Sequence, residues 1–311
     1  MRKKDIENQE HRYLNRSLWA NLQSLKSTVS FMQTGAHPDD ETSRLLAKLS
    51  LDEGYYVSYV NAVRGQGGQN SIGPERDDNL GALRTYELLK AMSVLRVDIG
   101  WLADNRNNSI VDFGLSKSAE ETFEFWDKNY TIKRMIRMVR AYKPDIIIPT
   151  FLDVNGQHGH HRSVTRATIE AYDKSNDPEM FPDDNFGPWK ISQIFLPAWS
   201  GGGGSYDDEE DPPKATHSID VGNFNHIYGG TYNQIGEWSR SYHATQNIGK
   251  LAYEDKMDVP LHLLKGTYVD GDITGGIIPK NFLELSDIAI NANCLLYTSP
   301  SPRDVEEYRN P

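Results

Sequence analysis

His37, Asp39, Asp40 and Glu41 crowd into five positions directly after the β-prone run 29–36, so one imidazole and three carboxylates stand where a strand ends. In open α/β sheets, ligands gather outside the carboxyl ends of strands, and a turn of this kind delivers its side chains there. His37 and Asp40 are suited to holding a metal, with Asp39 between them unligated and free to act as a base. A second polar group, Asp153, Asn155, Gln157, His158, His160 and His161, follows the apolar run Ile146, Ile147, Ile148. Between the two lies a glycine-rich loop, Arg64, Gly65, Gln66, Gly67, Gly68, Gln69, Asn70, again after a predicted strand. In a parallel sheet these ends share one edge, so residues more than 100 positions apart converge.

Four of the nine histidines fall in two of these turns. Imidazoles and carboxylates so crowded repel or desolvate one another unless a cation joins them. Two histidines and one carboxylate with open positions suit a catalytic Zn2+ and, less specifically, Fe2+. The expected ligands are His37, Asp40 and His161. Zinc lowers the pKa of water to about 7, so Asp39 can take its proton at neutral pH. His158, left off the metal, is expected to polarise a carbonyl and stabilise the oxyanion, or to protonate a leaving amine.

The elements that must position these residues read as an alternation. Leu14, Leu18, Leu22 and Leu25 predict an amphipathic helix over 5–26. A helix over 40–53 follows the His37 turn, with Leu45, Leu46 and Leu49 inward and Gly54 ending it. A strand over 55–63 completes a βαβ unit, whose crossover should be right-handed. Then come a helix over 79–92, a strand over 97–102, a turn at Asp112-Phe113-Gly114, and one long helix over 119–142 stopped by Pro144. A central parallel strand over 145–151, a helix following His161, and a strand over 191–196 continue the pattern. The glycines 201–204 and the acidic run 207–211 read as a flexible loop, solvated linker with a cover over the site as the alternative, 232–242 as a helix and 261–268 as a strand.

The fold class is α/β: Rossmann-like, with a mostly parallel sheet and helices on both faces. The chain divides into an N-terminal helical extension (1–28), a catalytic domain (29–293, its Rossmann-like core about 29–200) and a disordered or artefactual tail (294–311). Residues 295–304 resemble translated sequencing-adaptor sequence. Of the 311 residues, 38% are apolar and 25% charged, with a net charge of −11. That charge disfavours nucleic acid and anionic lipid, and no apolar run approaches the roughly 20 residues of a membrane span. Residues 1–10 lack the apolar core of a signal peptide, so the chain as written is expected in the cytoplasm. Cys294 is the only cysteine, leaving any metal to His, Asp or Glu.

The motifs also carry a family resemblance. The segment from Ala36 through His37, Pro38, Asp39 and Asp40 to Glu41 resembles the signature of the LmbE-like, or PIG-L, N-acetylglucosaminyl deacetylase superfamily, whose members are mostly zinc-dependent. The Arg64–Gln69 loop, the helix motif Arg84, Thr85, Tyr86, Glu87, Leu88, the Asp112-Phe113-Gly114 turn and the segment His158, Gly159, His160, His161 are similar to later family motifs, in family order over about 29–175. The resemblance implies His37, Asp40 and His161 as ligands, Asp39 as base, His158 at the oxyanion, and Arg84, Gln69 and Asp112 along the substrate pocket. Two residues depart from the pattern. His160 replaces the Asp that would orient an imidazole, which makes it a rival ligand, and Gln66 stands where many members have Glu.

Arg64 is a further substrate-contact candidate, with an alternative as a salt-bridge partner. The glycines beside it, followed by no Lys-Ser or Lys-Thr, are weak evidence for phosphate binding. His243 is a candidate for the pocket, from its resemblance to a segment of longer relatives. The expected function is removal of an N-acetyl group from an amino sugar or sugar conjugate. The alternatives are a metal-dependent hydrolase of a non-sugar amide, a non-catalytic carbohydrate-binding protein and, more remotely, a nucleotide-sugar glycosyltransferase. The expected partners are a small-molecule amino-sugar conjugate and, at most, further copies of the chain as a homo-oligomer.

Overall fold

The β-prone run before His37 forms the central strand β1 (Ser30–Gly35), around which strands and helices alternate. The computed structural model describes residues 18–104, 108–182, 185–201, 207–249 and 257–291. The main helices are α1 (Ser43–Leu51), α2 (Asp77–Leu95), α3 (Ala119–Trp126), α4 (Lys128–Tyr142), α5 (Gly159–Lys174), α6 (Tyr232–Arg240) and α7 (Phe282–Asn291). Strands β2 (Tyr56–Asn61), β3 (Asp98–Trp101), β4 (Ile146–Pro149), β5 (Gln193–Pro197), β6 (His217–Asp220) and β9 (Asp258–Lys265) join β1 in one sheet. β7 (Phe224–Asn225) and β8 (Gly230–Thr231) form a separate ribbon.

The sheet order is β3-β2-β1-β4-β5-β9-β6. Strands β1 to β5 run parallel, and β9 runs antiparallel to both β5 and β6. Strand order reverses between β1 and β4, which places the crevice of an open α/β sheet there. Their ends are in register, Thr34 beside Pro149, so the turns after both strands open into that crevice.

The period of two along each strand sorts its side chains into two cores. Phe31, Val57, Tyr59, Ile146 and Ile148 pack with Leu45, Leu46, Leu49, Leu88, Met92 and Ile235 on the face covered by α1, α2 and α6. Met32, Val60, Ile147 and Ile194 pack with Ile132, Ile136, Val139, Val164 and Ala167 on the face covered by α4 and α5. Helices on both faces are therefore as expected, and both cores lie beneath the crevice.

Several expectations need correction. The helix after His37 begins at Ser43 rather than Asp40, because residues 37–41 form a turn closed by the Asp40 amide donating to the His37 carbonyl at 3.3 Å. The helix over 119–142 is two helices, broken at Asp127, whose φ of +59° no helix continues through. Its carboxylate accepts from the Tyr130 amide and starts α4. Leu18, Leu22 and Leu25 are exposed, and it is Ala20 and Trp19 that pack inward, so the leucine stripe does not mark the buried face. The predicted strand over 261–268 begins earlier, at Asp258, and β6 falls outside every predicted strand. Leu14 and the tail 294–311 with Cys294 lie outside the described residues, as do 202–206 of the predicted linker.

Candidate metal centre and active site

The His37 turn is assembled by backbone groups at the end of β1. The Asp40 carboxylate accepts from the amides of Ala36 (3.0 Å) and His37 (2.7 Å), which fixes Oδ2 at the strand end. From the end of β4 the chain returns through Gln157 and His158 into α5, which carries His160 and His161 in its first turn. His37 Nδ1, His161 Nε2 and Asp40 Oδ2 form a triangle with sides of 3.2, 3.3 and 3.5 Å. Donor atoms at these separations suit a common tetrahedral cation, and two imidazoles with one carboxylate suit zinc. All three residues line a cavity of about 310 Å³, so a metal there would keep a side open to substrate.

Electrostatics support the fit. Burial opposes charge on Asp40, yet the His161 and His37 imidazoles hold its carboxyl well below the ordinary carboxylate range. Burial likewise opposes charge on His37, and the Asp40 carboxylate outweighs it, raising the imidazole. The trio thus attracts a proton as a surrogate cation.

His161 is fixed on two sides. Its ring stacks on Phe151 at 4.1 Å between centroids, and its Nδ1 lies 2.7 Å from Gln157 Oε1. Nδ1 is therefore the protonated nitrogen and donates to the amide oxygen, which leaves Nε2 for a metal. Gln157 Nε2 in turn donates to Asp208 at 2.8 Å. The acidic run is thus not merely solvated linker, because Asp208 braces the residue that orients His161.

His160 points the other way. It is fully buried against Phe113 and Trp126, with Nδ1 3.0 Å from His37 Nε2. It does not line the cavity. A second grouping of three imidazoles, His37, His158 and His160, also lies close enough for a cation, but it is buried throughout and holds no carboxylate.

Asp39 has a φ of +110° and presents Oδ1 to Arg84 Nη2 at 2.6 Å. Burial raises the Asp39 carboxyl above the ordinary value even against the Arg84 charge. Arg84 also donates to the carbonyls of Pro38 (2.7 Å) and Gly65 (3.1 Å). Arg84 therefore lines the pocket mainly as the clamp of the two turns. Gly65 is required there, since its φ is +73° and a Cβ would lie 2.5 Å from the Arg84 guanidinium.

His158 caps α5, its Nδ1 accepting from the His160 amide at 3.1 Å. Burial together with the neighbouring His37 pushes its pKa down to about 2, so it is a neutral imidazole. Asp112 and Gln69 line the cavity, Asp112 accepting from the Gly114 amide and the Gln69 carbonyl accepting from Gln246 Nε2. Arg64 is not brought to this cavity. It stacks on Trp101 at 3.5 Å from the ring centroid and lines a neighbouring cavity of about 430 Å³ with Gln66 and Asp104. His243 is also off the cavity, buried against Glu41 Oε1 at 2.9 Å.

Sequence reasoning missed the work of Gln157, Asp208, Arg240 and Gln246. The available signal was spacing. Gln157 stands four residues before His161, and Arg240, His243 and Gln246 recur every third position.

Residues 32–172 match the family model described as PIG-L, GlcNAc-PI de-N-acetylase. This segment is similar to PIG-L, or LmbE-like, domains. The matched segment contains both turns that carry the triangle and ends inside α5, before the 239–246 segment. The chain is 29% identical over 177 residues to a 1D-myo-inositol 2-acetamido-2-deoxy-alpha-D-glucopyranoside deacetylase of Streptomyces scabiei, covering 51% of this chain and 53% of that one. It is 27% identical over 175 residues to a mycothiol S-conjugate amidase of Streptomyces coelicolor, covering 51% and 57%. The chain thus spans little more than half the length of these curated relatives. Among solved structures it resembles the conserved protein TT1542 of Thermus thermophilus (TM-score 0.51, 13% identity, 78% of this chain and 97% of that one). It also resembles GalB, the 4-carboxy-2-hydroxymuconate hydratase of Pseudomonas putida (TM-score 0.52, 13% identity, 78% and 99%). Likeness at this identity is one of fold, and a fold shared with a hydratase does not by itself choose the reaction. Among the described residues, no helix is long and apolar enough to cross a membrane.

Proposed function

We propose that the protein is a metal-dependent hydrolase that removes an N-acetyl group from an amino-sugar conjugate. The observation that carries this reading is the triangle of His37, Asp40 and His161 on the wall of a cavity that Asp39 also lines. His37, Asp40 and His161 would hold the metal, zinc being the ion that the donor set suits best. When bound, it would supply Lewis acidity and water acidic enough to lose a proton near neutral pH.

The chain's own residues do the rest. Arg84 holds Asp39 Oδ1, and Asp39 lines the cavity, where its other carboxylate oxygen would take the proton of the attacking water. The raised pKa of Asp39 makes it a better base than an exposed carboxylate. Water adds to the amide carbonyl carbon, and Asp39 receives its proton. His158, kept neutral, would turn its N–H from the Gly114 carbonyl to the oxyanion, donating a hydrogen bond rather than a full proton. The C–N bond then breaks, Asp39 returns the proton to nitrogen, and acetate leaves the free amine. Asp112 and Gln69 line the same cavity and would orient the sugar.

The substrate class rests on the match to the PIG-L family model and on relatives named for the deacetylation of an N-acetylglucosaminyl inositol. The relative named as a mycothiol S-conjugate amidase supports a second reading, hydrolysis of a larger amide at the same site. Acetate release from N-acetylglucosamine conjugates, assayed after chelation and after adding zinc back, tests the first. Zinc-restored acetate release is expected. Cleavage of longer N-acyl conjugates with no acetate release would select the second.

A further inference from the structure

His37 meets the other metal-facing groups through Nδ1, which lies 3.2 Å from His161 Nε2 and 3.5 Å from Asp40 Oδ2. Its opposite nitrogen, Nε2, faces away from that triangle and lies 3.0 Å from His160 Nδ1. We propose that His160 is the positioning residue of the metal centre, a neutral imidazole that accepts the His37 Nε2 proton and so presents His37 Nδ1 to the ion. The proposal rests on the metal reading above.

Three observations support it. An imidazole that ligates through one nitrogen carries its proton on the other, and that proton needs an acceptor if it is buried. Among the described residues, His160 Nδ1 is the hydrogen-bond partner that His37 Nε2 meets. Asp112 Oδ1, a carboxylate oxygen beside His160, stands 3.9 Å from Nδ1, beyond hydrogen-bond distance. Third, His160 has no room to serve another purpose. It is fully buried between Phe113 and Trp126, and its Nε2 has no hydrogen-bond partner among the described residues. With Nδ1 as acceptor of the His37 proton, Nε2 carries the proton of the neutral His160 ring.

Asp, Asn and His all carry a hydrogen-bonding atom at the δ position, and in His160 that atom is a ring nitrogen able to accept. A neutral acceptor orients the ring without adding charge. His161 is treated alike, its Nδ1 donating to the neutral amide of Gln157. The metal would then face two imidazoles with uncharged outer partners and a single carboxylate, Asp40.

Zinc titration of the full chain against a fluorescent chelator, with zinc stoichiometry measured in parallel, tests the proposal. Wild type should bind one zinc per chain. His160→Leu should weaken zinc affinity 10- to 100-fold, the range expected when an outer partner is lost. His160→Asn, which restores a δ acceptor, should recover affinity to within about threefold of wild type. Recovery in Asn but not Leu, in proteins with matching circular dichroism, separates positioning from mere packing. Leu and wild type binding zinc equally would overturn the inference and leave the metal reading intact. Failure of wild type to bind zinc would overturn both, and two zinc ions per chain would overturn the inference by making His160 a ligand of a second site.

Discussion

Asp39 is the residue at which the backbone departs furthest from ordinary geometry near the site. A non-glycine φ of +110° costs on the order of 1–3 kcal/mol, and Arg84 holds it through both the Asp39 carboxylate and the Pro38 carbonyl. The strain turns Asp39 toward the cavity while Asp40, one residue on, turns back to the amides of β1's end. Asp39→Asn keeps a hydrogen-bond acceptor for Arg84 but removes the base. It is expected to lower turnover about 10²- to 10⁴-fold with zinc content unchanged, as read by steady-state rates and metal analysis. Gly65→Ala places a side chain on the Arg84 guanidinium at a left-handed φ. A loss of at least about 1–2 kcal/mol in denaturant unfolding is expected, with lower activity.

The element that ties the site together lies beyond the segment matched by the PIG-L family model. The end of α6 and the turn after it reach two separate loops and the helix α2. Arg240 donates to the Glu41 carbonyl at 3.2 Å, and His243 pairs with the buried Glu41 carboxylate. The Thr245 amide and hydroxyl donate to Glu87 on α2, and Gln246 reaches the Gln69 carbonyl of the glycine-rich loop. Burial raises and His243 lowers the Glu41 carboxyl, with the net result below its ordinary value, and Glu41 in return raises His243. His243→Ala would strand a buried carboxylate, so a destabilisation of about 3–5 kcal/mol is expected in urea unfolding. A loss under about 1 kcal/mol, the range of an exposed pair, would show that Glu41 finds another partner and that the segment is not a clamp.

At the scale of the molecule, the site sits where strand order reverses between β1 and β4; the alternation of apolar strands and helices foretells one shared strand edge but not the strand order. Ile146, Ile147 and Ile148 announce a buried parallel strand, and His37 and His161 announce turns on one edge. The roles of neighbouring histidines were not legible, because adjacent residues at a helix start point in directions set by the tertiary packing. Phe113 and Trp126 enclose His160, while Phe151 stacks on His161, and no local pattern distinguishes them. Arg64 was misplaced for a related reason, since its stack on Trp101 of β3 depends on a contact between distant parts of the chain. β6 and the antiparallel direction of β9 were not legible, because β9 pairs with β5 and β6 against the direction that the preceding strand–helix alternation sets. If zinc binds only the folded chain, unfolding should be opposed by about 2.7 kcal/mol at a free zinc concentration about 100 times Kd, and His37→Ala should abolish that gain. The most direct measurement is acetate release from an N-acetylglucosaminyl inositol by zinc-loaded wild type and Asp39→Asn at equal zinc content. The account predicts turnover by wild type and a loss of at least about 100-fold in the variant. Equal rates in the two proteins, or no zinc-dependent acetate release by wild type, would contradict it.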